Sequence, residues 1–257
     1  MYKTVLFFIT FFYCTVGIPQ HNIKVIHTGN MGVYITDGES SVLIDGLHEE
    51  YGPDYLFPTP EIVTKISSTY RPNAILFTHK HGDHFSEKLS KNYLKSNTKA
   101  LIFGANQITQ NFQEFKERVY TITTKNYQKQ PHSFESIKIT GVKIDHAGKR
   151  HRTIENVGYL IDFDNTKILH VGDTDWLEEI NLFPRLHLTK ESIDIAIVPY
   201  WMLLRKDATE LLKKHINPKY CIATHISPRI SQNDLQELKR KHPNIYFLTA
   251  LEQQIQL

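Results

Sequence analysis

The chain has 257 residues and a formal net charge of +3, with 30 Lys and Arg against 27 Asp and Glu. That balance gives no electrostatic case for nucleic acid or an anionic membrane surface as a partner. A hydrophobic content of 40% with 11% aromatics fits a folded globular protein, and the length suits one sizeable domain with a well-covered core.

The first residues read as a secretory leader: Lys3, an apolar stretch from Val5 to Phe12, then small residues around Thr15-Val16-Gly17. Cleavage near Gly17 leaves residues 18–257 as the working domain, exported to a periplasm or secreted, with no stable membrane span. The apolar stretch is short for a retained anchor. Cys14 falls in the leader, so the mature chain keeps only Cys221 and forms no internal disulfide. Inside Tyr220-Cys221-Ile222-Ala223 that cysteine reads as a small buried hydrophobe.

After the leader, Ile23 to His27, Gly32 to Thr36 and Ser41 to Asp45 read as a three-strand meander with turns at Thr28-Gly29-Asn30 and Asp37-Gly38. A short helix is expected near Glu61 to Ser68. The apolar strand Ala74 to Thr78 then stops directly at His79. A helix near Glu87 to Lys95, a strand at Ala100 to Phe103 and a helix near Gln107 to Glu117 complete the first half. Strands follow at Arg118 to Ile122, Ser136 to Asp145, Val157 to Asp162 and Lys167 to Val171, and then a helix near Trp176 to Leu182. Ile193 to Val198 and Tyr220 to Thr224 read as buried strands. Asp207 with Glu210 reads as a capping box for a helix through Lys214, Ser231 caps a last helix through Lys241, and Ile245 to Leu248 closes the chain as a strand. Strands in blocks followed by helices in each half suggest two sheets packed face to face with helices outside, as one domain.

The densest chemical signal is Thr78-His79-Lys80-His81-Gly82-Asp83-His84-Phe85. Four candidate ligands lie within six residues, just after a strand too apolar for the surface. Imidazoles and a carboxylate suit zinc, manganese or iron. On a loop at a strand end, residues at i and i+2 can point together while i+4 and i+5 turn the other way, so one segment can serve two adjacent metals. Gly82 permits the tight path this requires.

From these residues the chain resembles the metallo-β-lactamase superfamily, whose central motif is His-x-His-x-Asp-His. The resemblance continues in order through Asp45 at the end of an early strand, His146, Asp173 in Gly172-Asp173-Thr174, and His225 after a buried strand. It implies a four-layer αββα sandwich of the α/β class. It further implies that His79, His81 and His146 hold one zinc, that Asp83, His84 and His225 hold a second, and that Asp173 bridges them. Asp45 would orient the loop ligands. His151 competes with His146 for the third position of the first metal. His170 reads as packed or supporting, and His21, His132, His187, His215 and His242 read as surface residues.

Two divalent ions that share a water lower its pKa to roughly neutral. The expected function is therefore an exported dinuclear zinc hydrolase that uses a metal-bridging hydroxide on a small ester, lactone or phosphodiester, with Asp83 and Asp173 as catalytic carboxylates. A di-iron oxidoreductase of the same fold and a non-catalytic zinc-binding module are the alternatives. The chain has no Gly-x-Ser-x-Gly elbow, Cys-x-x-Cys pair or glycine-rich phosphate loop. Within the superfamily it looks most like the branch of ascorbate-phosphate lactonases and the phospholipase D that releases N-acylethanolamines. The carrying segments are His81 to Phe85, Asn156 to Leu160 and Ile168 to Thr174. Lys149, Arg150 and Arg152 read either as a grip on an anionic substrate group or as an exposed basic loop. Tyr200 to Leu204 reads either as an apolar wall over the metals or as ordinary core.

Overall fold

The computed structural model describes residues 23–124, 127–164, 166–177 and 181–257, so the expected leader and His21 lie outside the described residues. The opening meander forms as β1 (Lys24–Gly29), β2 (Gly32–Thr36) and β3 (Ser41–Ile44). It continues through parallel pairing into β4 (Ala74–Leu76), β5 (Leu101–Gly104) and β6 (Val119–Thr121). The C-terminal β14 (Gln254–Gln256) pairs with the free edge of β1, giving a seven-stranded sheet in the order β14-β1-β2-β3-β4-β5-β6.

The second sheet also has seven strands. It begins with β7 (Gln130–Phe134), β8 (Ile137–Lys143), β9 (Val157–Phe163) and β10 (Thr166–His170), which run antiparallel. β11 (Ile195–Pro199), β12 (Tyr220–Thr224) and β13 (Ile245–Phe247) then add in parallel.

Alternation along these strands makes the layers. Val42 and Ile44 of β3 and Ala74 and Leu76 of β4 meet Ile195 and Ile197 of β11 and Ile222 of β12 in the core between the sheets. Leu43 and Ile75 point the other way, onto Ile62 of α1 (Pro60–Lys65), Tyr93 and Leu94 of α2 (Glu87–Ser96) and Ile108 of α3 (Asn106–Thr109). On the far side, Ala196, Val198, Cys221 and Ala223 pack under Phe183 of α4 (Phe183–Leu186), Leu212 of α5 (Ala208–His215) and Leu238 of α6 (Gln232–Lys241). The result is the expected αββα sandwich. Each fully buried Ile or Leu contributes roughly 1.5–3 kcal/mol relative to exposure. No helix among the described residues is long and apolar enough to cross a membrane.

Several elements differ from the sequence reading. The helix expected near Gln107 to Glu117 is short α3 followed by a 3-10 segment, Gln113–Arg118. Between them Phe112 adopts non-helical backbone (φ −115°, ψ 37°) to bury its ring beside Phe85. β7 has too few apolar residues for periodicity to reveal it, and its Pro131 suits the sheet edge it occupies. Ile245–Phe247 does not close the chain, because β14 follows it. Asp207 does not cap α5 through its side chain; its carboxylate accepts from Arg205 Nε and Nη2, each at 2.8 Å. Ser231 does cap α6, accepting from Asp234 N. Of the helix expected near Trp176 to Leu182, residues 178–180 lie outside the described residues, and the helix found there is Phe183–Leu186.

Two bonds tie the sheets together at one end: Tyr159 Oη donates to Phe77 O (2.8 Å), and Val157 N donates to Thr78 O (2.8 Å). Tyr159 is fully buried, so removing its hydroxyl leaves the Phe77 carbonyl without its donor. Tyr159→Phe is expected to lose about 1–3 kcal/mol of stability, read as a lower urea midpoint with an unchanged slope.

Candidate metal centre

The parallel strands of both sheets aim their carboxyl ends at one edge of the sandwich, where α/β folds commonly bind ligands. β3 delivers Asp45 there, β4 delivers Thr78 and His79, β10 delivers Asp173, and β12 delivers His225. β8, antiparallel to β9 and so co-directional with β10, delivers His146. Asp45 (φ 47°) and His225 (φ 59°) take the left-handed conformation, which costs about 1–3 kcal/mol each and marks a backbone bent to aim a side chain. Gly172 also has positive φ (66°), and a Cβ there would come 2.9 Å from Thr78 Cβ and collide with Asn156 Oδ1. Gly82 lacks positive φ; its requirement is space, since a Cβ would lie 2.8 Å from the Tyr51 ring.

Two clusters result. The first joins His79, His81 and His146, and the second joins Asp83, His84, Asp173 and His225; within each, one ligand atom per residue lies within 4.8 Å of the others. In the first, His146 Nε2 is 3.2 Å from His81 Nδ1. In the second, His225 Nε2 is 3.3 Å from Asp83 Oδ2, and His84 Nε2 is 3.5 Å from the same oxygen. Asp173 stands between the clusters. Its Oδ1 is 3.4 Å from His84 Nε2, while its Oδ2 is 3.4 Å from His225 Nε2 and 3.9 Å from His146 Nε2.

Hydrogen bonds behind the clusters fix which ring nitrogen faces inward. Asp45 accepts from Thr78 N (2.8 Å), Thr78 Oγ1 (2.6 Å) and His84 Nδ1 (2.9 Å). Since the Thr78 hydroxyl gives its proton to Asp45, it must accept from His79 Nδ1 at 3.0 Å. His79 and His84 are thereby both Nδ1-protonated on their outer side and present Nε2 to the centre. His146 Nδ1 donates to Ala147 O at 2.8 Å, and Asn30 Nδ2 donates to Asp83 Oδ2 at 2.9 Å. The inward Nε2 atoms of His79, His84 and His225 and the Oδ1 of Asp173 are buried with no hydrogen-bond partner. Each such atom costs about 1–3 kcal/mol if nothing satisfies it. Their convergence, imidazole nitrogens with a carboxylate oxygen, is the donor set that suits divalent zinc.

The two clusters differ in charge. Burial pushes His79, His81 and His146 below the ordinary imidazole value, His81 to about 4, so each offers a free lone pair at neutral pH. Burial works in the same direction on His84 and His225, but Asp173 and Asp83 outweigh it. His84 is held well above its ordinary value, with Asp45 contributing, and His225 is raised to about 9. Burial would raise Asp173 and Asp83, yet the same histidines hold both well below the usual carboxylate range. The second cluster is built around positive charge, which protons supply until a cation replaces them.

The fold brings together all seven residues that the resemblance implied as ligands, and it sets Asp45 behind them. His146 carries its Nε2 into the first cluster, while the ring of His151 packs against His146 (4.4 Å between centroids) and His81 (4.9 Å) at the mouth. His170 is buried, taking Gly172 N on Nδ1 (3.3 Å) and donating from Nε2 to Met31 O (3.3 Å). His215 and His242 are buried rather than surface residues. His215 packs near Trp176 and Phe183, and His242 donates to Leu203 O at 3.0 Å. His187 is exposed and His132 half-buried. Cys221 is buried, and burial pushes its thiol up to about 12, as an inert core residue requires. The two arginines part: Arg150 Nε donates to His151 (2.7 Å), while Arg152 turns to a cavity of about 480 Å³ lined by Asn106, Thr121 and Glu155. Sequence reasoning missed Asn30, which read only as a turn, and the aromatic residues Tyr51 and Tyr55.

Metal binding at the second cluster must displace protons from His84 and His225, whereas the first cluster is already neutral. Of two zinc ions, one is therefore expected to bind with little pH dependence and the other progressively more tightly as pH rises toward about 9, with proton release visible as buffer-dependent calorimetric enthalpy. In the metal-free protein, the raised His225 contributes stability that is complete below the ordinary imidazole value of 6.5 and lost as pH rises through about 9. His146→Ala is expected to lose one metal per chain and His151→Ala none, as counted by elemental analysis.

Residues 21–225 match the family model described as "Beta-lactamase superfamily domain". A UPF0173 metal-dependent hydrolase of Pyrococcus furiosus is 28% identical over 207 residues, which cover 77% of this chain and 84% of that protein. A metallo hydrolase of Ignicoccus hospitalis superposes with a TM-score of 0.62 at 15% identity, covering 92% of this chain and 98% of that one. The metallo-beta-lactamase fold protein YhfI of Bacillus subtilis superposes at 0.61 with 14% identity, covering 93% of this chain and 100% of that one. The sandwich, the paired clusters at its strand ends and the family match over most of the sequence agree: the chain belongs to the metallo-β-lactamase superfamily.

Proposed function

We propose that the chain is a hydrolase that uses two zinc ions on a small ester, lactone or phosphodiester. The observation that carries this reading is the set of buried, partnerless Nε2 and Oδ1 atoms of His79, His84, His225 and Asp173, which converge on one end of the sandwich. His79, His81 and His146 would hold one ion, Asp83, His84 and His225 the other, with Asp173 facing both. Bound there, the ions would supply a water acidic enough to ionise near neutral pH and Lewis-acid polarisation of the bond under attack.

The chain's own residues do the rest. Asp83, held through Oδ2 by Asn30, orients the attacking water and can take its proton. Asp45 and Thr78 hold Nδ1 of His84 and His79 on the outer side, so that Nε2 of each faces the ions. An aspartate at position 173, where the dominant zinc β-lactamases carry a cysteine, argues against antibiotic hydrolysis as the main role. The finer reading, the lactonase and phospholipase D branch, is supported by its marker segments meeting: Gly172 makes room for Asn156, whose Nδ2 donates to Ile144 O (2.8 Å) and Val171 O (3.2 Å). Export through the N-terminal leader belongs to the same proposal, and a mature N-terminus near residue 18 on protein recovered outside the cytoplasm would support it.

Purified protein is expected to carry two metals per chain and to turn over at least one member of a panel of phosphodiesters, lactones and acyl esters. Chelation should abolish that turnover and zinc restore it; full activity after complete metal removal would overturn the reading. Asp45→Asn is expected to lower metal affinity or activity by roughly 10–100-fold. His79→Ala and Asp173→Ala are expected to lose metal while remaining folded.

A further inference from the structure

The segment between β3 and α1 folds over the second cluster and carries two tyrosines toward it. Tyr51 lies over Gly82, its ring 2.8 Å from where a Cβ there would stand. Tyr55 meets Tyr51 edge-on, with centroids 5.1 Å apart, and stands edge-on to His225 at 5.7 Å. On another side of His225 the Trp201 indole packs at 4.7 Å, pinned by Nε1 donating to Thr174 O (2.7 Å). The loop closes a turn within itself and passes close to β1. Tyr55 N donates to Gly52 O (3.1 Å), and Leu56 O lies 2.9 Å from where a Cβ on Gly29 would stand.

Four other phenols are used structurally. Tyr34 donates to Tyr70 O, Tyr70 to Glu252, Tyr93 to Pro72 O and Tyr159 to Phe77 O. Tyr55 is half-buried against a metal-site histidine, yet its hydroxyl has no hydrogen-bond partner among the described residues. A phenol is neutral at physiological pH, so Tyr55 keeps a free O–H donor beside His225.

We propose that Tyr55 is a further catalytic residue, whose hydroxyl donates a hydrogen bond to the substrate oxygen that gains negative charge as water adds to the scissile carbon or phosphorus. The inference rests on the hydrolase reading. No proton is transferred. The donor is already positioned beside His225, and its bond strengthens as charge develops on the acceptor, which lowers the transition state more than the ground state. Loss of one such donor typically costs about 10²–10³ in kcat.

Tyr55→Phe keeps the ring against Tyr51 and His225 and removes only the hydroxyl. The variant is expected to bind two zinc ions per chain and to melt like the wild type. Its kcat on the best panel substrate should fall roughly 100-fold with KM within about twofold. Inorganic phosphate, titrated calorimetrically into the zinc-loaded protein as a stable oxyanion, should bind about tenfold more weakly to the variant. Wild-type kcat, unchanged phosphate affinity or loss of zinc in the variant would each overturn the assignment. A wild type that hydrolyses nothing on the panel counts against the hydrolase reading, while the phosphate titration still decides whether Tyr55 donates to an oxyanion.

Discussion

The fully buried carboxylate of Asp45 is the point on which the metal centre turns. It accepts three hydrogen bonds, two from Thr78 and one from His84. A buried carboxylate is tolerable only when its oxygens are paired, and the pairing here has consequences beyond its own cost. It dictates the tautomer of His84 directly and that of His79 through the Thr78 hydroxyl. The inward Nε2 of His79 is thereby a free lone pair and that of His84 carries the proton a cation would replace, so neither ring has to turn to bind one. A carboxamide at the same place could not accept at every one of these contacts.

The sandwich supplies the rest of the geometry. One sheet contributes the short-range cluster after β4, and the other contributes His146, Asp173 and His225 from three strand ends. The sheets must therefore sit in one register for the two clusters to share Asp173. That register is held at the site end by Tyr159 on Phe77 O, by Val157 on Thr78 O and by the close passage of Gly172 past Thr78 and Asn156. Packing and chemistry are coupled: the apolar faces that drive the sheets together also set the separation at which the ligands meet.

Charge then divides the labour. The three-histidine cluster is neutral because burial disfavours its charged forms, while the aspartate-containing cluster holds positive charge because its carboxylates outweigh burial. Over the latter lies an aromatic mouth of Tyr51, Tyr55 and Trp201. These rings border the aspartate-containing cluster, and the half-buried phenol of Tyr55 beside His225 adds a neutral donor.

The amino-acid sequence by itself determined the parts governed by local pattern. Alternating apolar residues specified most strands and the two-sheet class. The run His79 to His84 announced metal because its ligands are neighbours in the chain, and the order of Asp45, His146, Asp173 and His225 pointed to the superfamily. Tertiary structure decided what depends on distance across the fold. His146 and His151 are equivalent as residue types, and only the turn after β8 puts the first into the cluster and the second at its mouth. β7 and β14 are too polar or too short to declare themselves, and exist because a neighbouring strand offers unpaired backbone. His215 and His242 looked solvated but are buried by contacts from distant segments. Asn30 and Tyr55 carry no motif at all. Their roles arise because loops remote in sequence fold onto Asp83 and His225, and no periodicity in the chain encodes that approach.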